Sequence, residues 1–375
     1  MEGEYAAHKE ILNFLVDIFN HISNPGNLKT IILETNRELS EINWFGLSTL
    51  FKELFKDLSE KQSDPTLYGA TVRLIAPFYQ KTAMNIAEEV ENLIEELSEW
   101  NYDRAVGLAL AAEGLLPFNE ERSLTLLNKA LNYAHEIPDR SDKSIAFCEI
   151  LPILYKADMK TIIPDVFDEI VYEPKKIEAS MIIAEREPEK SELIKNVLTS
   201  LPNEKKNLFY AARANHTGNK EVREELCAKA LENVGTGIDA TKTKEKVFEV
   251  YHQHGNHNKA SELVQDLSHE LFKNVSKRPY VSILIDLISF LLSRGDSQKG
   301  FNMLRKLKNR TGGLGSANRL FIFNKIANIL SINGFFEEGV KAYHETLNIL
   351  GELDELSLSS SLISIGVSIL TALNY

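Results

Sequence analysis

Apolar residues recur at three- and four-residue spacings along nearly the whole chain, and alternating strand-like segments are scarce. That is the periodicity of amphipathic helices, so the pattern predicts an all-α protein. Between residues 102 and 201 it predicts helices over 102–116, 120–136, 141–156, 159–171, 175–186 and 189–201. Pro138, Pro174, Pro188 and Pro202 fall between these stretches or at their starts, where proline is tolerated. Pro152 and Pro164 fall inside them and predict a kink or a break. Asp64-Pro65 and Pro25-Gly26 mark loops.

In the second half the pattern acquires a phase. Four breaks look alike: His216-Thr217-Gly218-Asn219, His254-Gly255-Asn256-His257, Arg294-Gly295-Asp296-Ser297 and Asn333-Gly334-Phe335-Phe336. Their glycines are 37, 40 and 39 residues apart. In the last three a small residue follows five positions later (Ala260, Gly300, Gly339), whereas the first has Arg223 there. Glycine lets the chain take a positive φ after a helix, and a polar residue such as Asn256 or Asp296 can cap the next one. The small residue is expected where the second helix crosses the first. A lone hairpin cannot bury its apolar face, so stacked neighbours must close the core.

With these features, residues 203–351 resemble the tetratricopeptide-like family. Tyr251 stands at the family's aromatic first-helix position, Tyr343 at its second-helix aromatic position and Ala230 at a late small position. The chain departs from the family at Lys244 and Phe248, and at Leu284 and Ile288, which occupy its usual tryptophan and glycine positions. Its period of about 39 also exceeds the family's roughly 34 residues. The resemblance implies a right-handed α-α superhelix, a solenoid of stacked hairpins that binds a protein or peptide in its concave groove without catalysis. First helices would line that groove, which nominates Lys242, Glu245, Glu249, His252 and Gln253 in one repeat and Asn324, Asn328 and Ser331 in the last full one. The expected organisation is an N-terminal helical segment or cap over 1–100, irregular short hairpins of about 30 residues over 101–202, regular repeats over 203–351 and a closing helix over 352–375.

Charge adds direction. Residues 297–336 hold seven bases and no acid: Lys299, Arg305, Lys306, Lys308, Arg310, Arg319 and Lys325. Residues 82–103 hold seven acids and no base. The formal charge of −12 argues against a general nucleic-acid binder, yet a local basic stretch can steer an anionic partner. Arg305, Lys306, Lys308, Arg310 and Arg319 are therefore an alternative site for nucleic acid or another anion. The glycine-rich Arg310-Thr311-Gly312-Gly313-Leu314-Gly315-Ser316 lies among them, although it lacks the Walker ending and follows no strand. A charge run is otherwise a solvated helix face.

The remaining features mostly narrow the picture. Cys148 and Cys227 match no metal-ligand spacing and point to a reducing compartment, cytoplasmic by expectation. His252, His254 and His257 cluster, but they face different ways on a helix and no metal site is expected. No cofactor motif and no local nucleophile motif emerges, so no enzyme is expected. The apolar run at 281–292 carries Asp286 and is too short to span a bilayer. The stripe of Trp44, Leu47, Phe51, Leu54, Phe55 and Leu58 reads as core. Residues 356–375 carry no charge. They are expected either to close the solenoid or to join copies of the chain, which makes a self-assembling structural subunit a further alternative.

Overall fold

The computed structural model describes residues 52, 64–96, 101–187, 191–294 and 296–350. Among them are sixteen α-helices and no strand. The chain divides between Ala179 and Ser180 into two compact units, each with its own internal packing. The stripe at 44–58, apart from Lys52, and the uncharged stretch 356–375 lie outside the described residues.

In the first unit, α1 (Pro65–Ile75) and α2 (Gln80–Glu96) form one hairpin, and α3 (Asn101–Leu115) and α4 (Glu120–His135) the next. Asp64 caps α1, accepting from the Thr66 and Leu67 amides, with Pro65 as its first residue. The two turns are built alike. Pro77-Phe78 and Pro117-Phe118 stand 40 residues apart. In each, the phenylalanine amide and the one after it donate to a single carbonyl, that of Ile75 or Leu115. First helices α1 and α3 cross on glycine: a Cβ on Gly69 would lie 2.1 Å from the Gly107 carbonyl oxygen, and one on Gly114 would lie 2.7 Å from Arg73 Cα. Positions rise together along both helices, from Gly69 against Gly107 to Arg73 against Gly114, so the two run in the same direction. Ion pairs then tie the layers. Glu113 holds Arg73 at 3.0 Å and Lys156 at 2.6 Å, and Glu91 holds Arg122 and Lys129.

α5 (Arg140–Lys156) packs on α3 and runs through Pro152 without a break. The helix expected over 159–171 is broken as Pro164 predicts. A 3₁₀ turn at Lys160–Ile162 leads into the short α6 (Ile163–Glu169), with the proline in its first turn. α7 (Glu173–Arg186) spans the division between the units.

The second unit continues with α8 (Glu192–Ser200). Four hairpins follow: α9 (Asn203–His216) with α10 (Lys220–Leu231), α11 (Ile238–Gln253) with α12 (His257–Lys273), α13 (Arg278–Ser293) with α14 (Ser297–Arg310), and α15 (Ser316–Ile332) with α16 (Phe336–Leu350). Each first helix packs on its own second helix and on the first helix of the next hairpin. One continuous core runs through all four, from Ala211 to Ala342.

Glycine performs the expected turn at Gly255 and Gly334, where φ is +76° and +82°. At Gly218 it does not. Thr217 before it is extended, and Arg223 uses its guanidinium to bind the Thr217 carbonyl at 2.9 Å. The small residues lie at the helix crossings. A Cβ on Gly300 would press on Leu292 at 2.8 Å, and one on Gly339 on Ser331 Oγ at 2.4 Å. Asn256 and Asp296 occupy N-cap positions without capping. Asn256 instead donates toward Glu224 at 3.5 Å, and Asp296 pairs with Lys299 at 3.0 Å.

Candidate partner-binding face on the first helices

The stacking of α11, α13 and α15 gathers ionisable side chains that lie far apart in sequence. α11 supplies Lys242, Glu245, Lys246 and Glu249, α13 supplies Asp286, and α15 supplies Lys325. Asp286 feels Lys246, Lys325, Glu249 and Lys242 together. Glu249 pairs with Lys246 at 3.2 Å. Glu245, one turn before Glu249, is only 4% exposed, and among the described residues no cation stands within ion-pair distance of it.

A carboxyl taken out of water without a paired cation favours its neutral form. Burial pushes Glu245 up to about 8; Lys246 opposes this, while Glu249 and Asp286 add to it, as does a side-chain hydrogen bond with Glu249. Burial also raises Asp286, against the pull of Lys246 and Lys325. At Lys246 burial works against the charge, but Glu245 and Glu249 outweigh it and hold the ammonium above its ordinary range. Asp286 is nevertheless exposed to solvent, and Lys246 keeps 44% of its side chain accessible. Charged groups of both signs therefore reach solvent together on the stacked first helices, a surface that a charged partner can recognise.

At the end of α11, His252 is half-buried among rings, 5.1 Å from Phe290, 5.4 Å from His257 and 5.8 Å from Phe248. Burial and then His257 lower its pKa, against Asp296. His252 lies against the Phe248 and Phe290 rings, and no metal-holding group occurs among the described residues.

Of the nominated residues, Lys242 and Gln253 are exposed, while Glu249 and His252 are partly so. Glu245 is enclosed and acts from beneath the surface. Ser331 is a correction: it is 6% exposed and sits at the crossing with Gly339, out of a partner's reach. Asn324 is likewise enclosed at 2%. Asn328 Oδ1 is sealed from solvent without a hydrogen-bond partner, as is Tyr343 Oη on α16. Sequence reasoning missed Lys246, Asp286 and Lys325. For Asp286 a signal existed: a lone charge inside a twelve-residue apolar run.

Two members of the basic stretch meet at the end of α12. Arg310 donates to the Phe272 carbonyl at 2.8 Å, closing the last turn of α12, and Lys306 lies 4.4 Å over the Phe272 ring. Arg305 is exposed, Lys308 is half-buried on the same helix, and Arg319 belongs to α15. In the glycine-rich segment, Thr311–Gly313 forms a 3₁₀ turn and Gly315 precedes α15 with φ −63°, so no left-handed nest forms there. The acidic stretch is partly answered in the same way, through Glu91 and its two bases on α4.

No family model and no curated protein sequence matches the chain. Among solved structures it is similar to the crystal structure of Ton1535 from Thermococcus onnurineus NA1. The identity is 16%, over 89% of this chain and 99% of that one, with a TM-score of 0.32. A superposition of that quality carries no argument about fold or function. No helix of the described residues is long and apolar enough to cross a membrane.

Proposed function

We propose that the chain is a non-catalytic, tetratricopeptide-like scaffold of the cytoplasm that holds a protein or peptide partner on the first helices of its second unit. The observation that carries this reading is the mixed-charge cluster shared by α11, α13 and α15. It presents both signs to solvent at Lys246 and Asp286, one helix apart. Paired opposite charges recognise a partner by complementarity and reject mismatched ones. Lys242 and Gln253 stand exposed at its margins.

The test immobilises the full chain and captures proteins from the native source. Comparison is made with Asp286→Lys, which reverses a charge of the cluster, and with Arg305→Glu on the second helix α14. The reading expects a protein retained by the wild type and by Arg305→Glu but lost from Asp286→Lys. Capture that survives Asp286→Lys and fails with Arg305→Glu would move the site to the basic stretch.

A further inference from the structure

In the first unit the second helices α2 and α4 both pack on α3. Between them, above α3, lies a groove of about 250 Å³. Its floor is apolar: Ile94 of α2 and Leu108 of α3 line it and are otherwise enclosed. Glu91 reaches across from α2 to Lys129 of α4 at 2.6 Å and also holds Arg122, so the base in the groove wall is already answered. Two further carboxylates line the groove. Glu95 stands one turn beyond Glu91 on α2, and Glu136 follows the last turn of α4. Both are exposed, and among the described residues neither belongs to an ion pair. Tyr133 adds an aromatic wall on α4. Arg104 lies 5.4 Å over that ring, donates to Asn101 at 3.2 Å and does not line the groove.

We propose that the α2–α4 groove binds a primary aliphatic amine, with its alkyl stem on Ile94 and Leu108 and its ammonium at Glu95 and Glu136. The volume lies below the roughly 300–1,000 Å³ usual for small-molecule sites, so the groove suits a group about the size of one long side chain and not a nucleotide. An aliphatic amine carries its charge at neutral pH, as lysine does. Its stem can cover apolar surface while its head stays in partly aqueous surroundings, the division that this floor and these exposed carboxylates offer. A carboxylate or phosphate ligand would instead meet two like charges, and an alcohol would gain the floor alone. The site uses second helices of the first unit, so it stands or falls independently of the partner face on the first helices of the second.

Methyl-labelled full-length chain tests it by nuclear magnetic resonance, with butylammonium, butanol and a lysine blocked at both ends as probes. The Ile94 and Leu108 methyl signals are expected to shift saturably with butylammonium and with the blocked lysine, and not with butanol at the same concentrations. In the double variant Glu95→Gln, Glu136→Gln the affinity is expected to fall about fivefold, the worth of two solvent-exposed charge contacts. Glu88→Gln, Glu89→Gln removes the same charge from exposed positions of α2 that do not line the groove, and is expected to bind as the wild type does. Equal weakening in the two double variants would overturn the site, because it would reduce the effect to net charge. Butanol acting as strongly as butylammonium would also overturn it, as would butylammonium that leaves both methyl signals unmoved. Tighter binding of the blocked lysine than of butylammonium would assign the amine to a protein side chain, and the reverse order to a free amine; either order upholds the groove.

Discussion

The crossing of α1 and α3 makes the sharpest stability prediction. A Cβ on Gly107 would stand 2.4 Å from the Pro65 carbonyl oxygen and 2.5 Å from its carbon, both backbone atoms. No side-chain rotation can relieve that overlap. Restoring ordinary contact requires α1 and α3 to part by about 1 Å, which forfeits a quarter to a half of the attraction between facing atoms. The buried neighbours Leu67, Ala70, Val72, Ala111 and Ala112 are all fitted to the present spacing. Overpacking of this kind costs about 3 kcal/mol, and the better helix propensity of alanine returns about 1 kcal/mol. Gly107→Ala should therefore lose about 2 kcal/mol, lowering the urea midpoint of the first unit by about 1 M. The matched substitution Gly312→Ala meets nothing within 4 Å and should stay within about 0.5 kcal/mol of the wild type. Equal midpoints for Gly107→Ala and the wild type, followed by circular dichroism, would refute the close approach.

Two further outcomes follow from buried titratable groups. Burial pushes the Cys227 thiol up to about 11, so iodoacetamide at neutral pH should label it at least about a hundredfold more slowly than free cysteine. Labelling should become rapid once the chain is unfolded, and site-resolved mass spectrometry distinguishes it from Cys148. Glu245 should give stability a measurable pH slope. Burial pushes it up to about 8 in the folded chain, above the ordinary glutamate value of 4.5, so between those values the folded chain binds more protons than the unfolded one. The contribution is fully present below the lower value and is lost as pH rises through the higher. The ceiling on that slope is about 1.4 kcal/mol per pH unit. Glu245→Gln should lie close to the wild type in mild acid and become the more stable of the two above neutrality. Parallel stability curves for the two across that window would exclude a buried protonated acid.

How much of this was legible in the sequence depends on what marked the phase. In the second unit the markers sit in the turns and at the crossings. Gly255 and Gly334 take the positive φ that only a few residues tolerate, and Gly300 and Gly339 lie where a Cβ would collide. Both signals survive as a spacing that can be read along the chain. In the first unit the same hairpin order was missed because its turns are marked by Pro77-Phe78 and Pro117-Phe118 instead of glycine. Its glycines, Gly69, Gly107 and Gly114, lie within helices, where the helix periodicity hides them. The starts of α1, α3 and α5 at Pro65, Asn101 and Arg140 keep a spacing close to that of the later hairpins. A search for repeated turn chemistry, free of any assumption about which residue makes the turn, would have found it.

Charge was legible as composition but not as placement, and the reason is physical. A run of one sign along the chain is folded against helices from other parts of the sequence, and those partners decide what remains. Glu91 in the acidic stretch meets Arg122 and Lys129 from α4. In the basic stretch Arg310 and Lys306 turn to the end of α12, where a cation is favoured by the helix dipole and by the Phe272 ring. Both poles are thereby partly spent on holding helices together. The mixed-charge cluster behaves in the opposite way. Lys246, Asp286 and Lys325 each looked unremarkable in their own helices, one among many charges or one interruption of an apolar run. They acquire meaning because first helices stack on first helices, bringing residues about 40 positions apart within electrostatic reach of one another. In a repeat fold the chemistry is therefore better sought down the columns of equivalent helices than along the chain. On the proposed reading, substitution along the column through Glu249, Asp286 and Lys325 should change the capture of a partner.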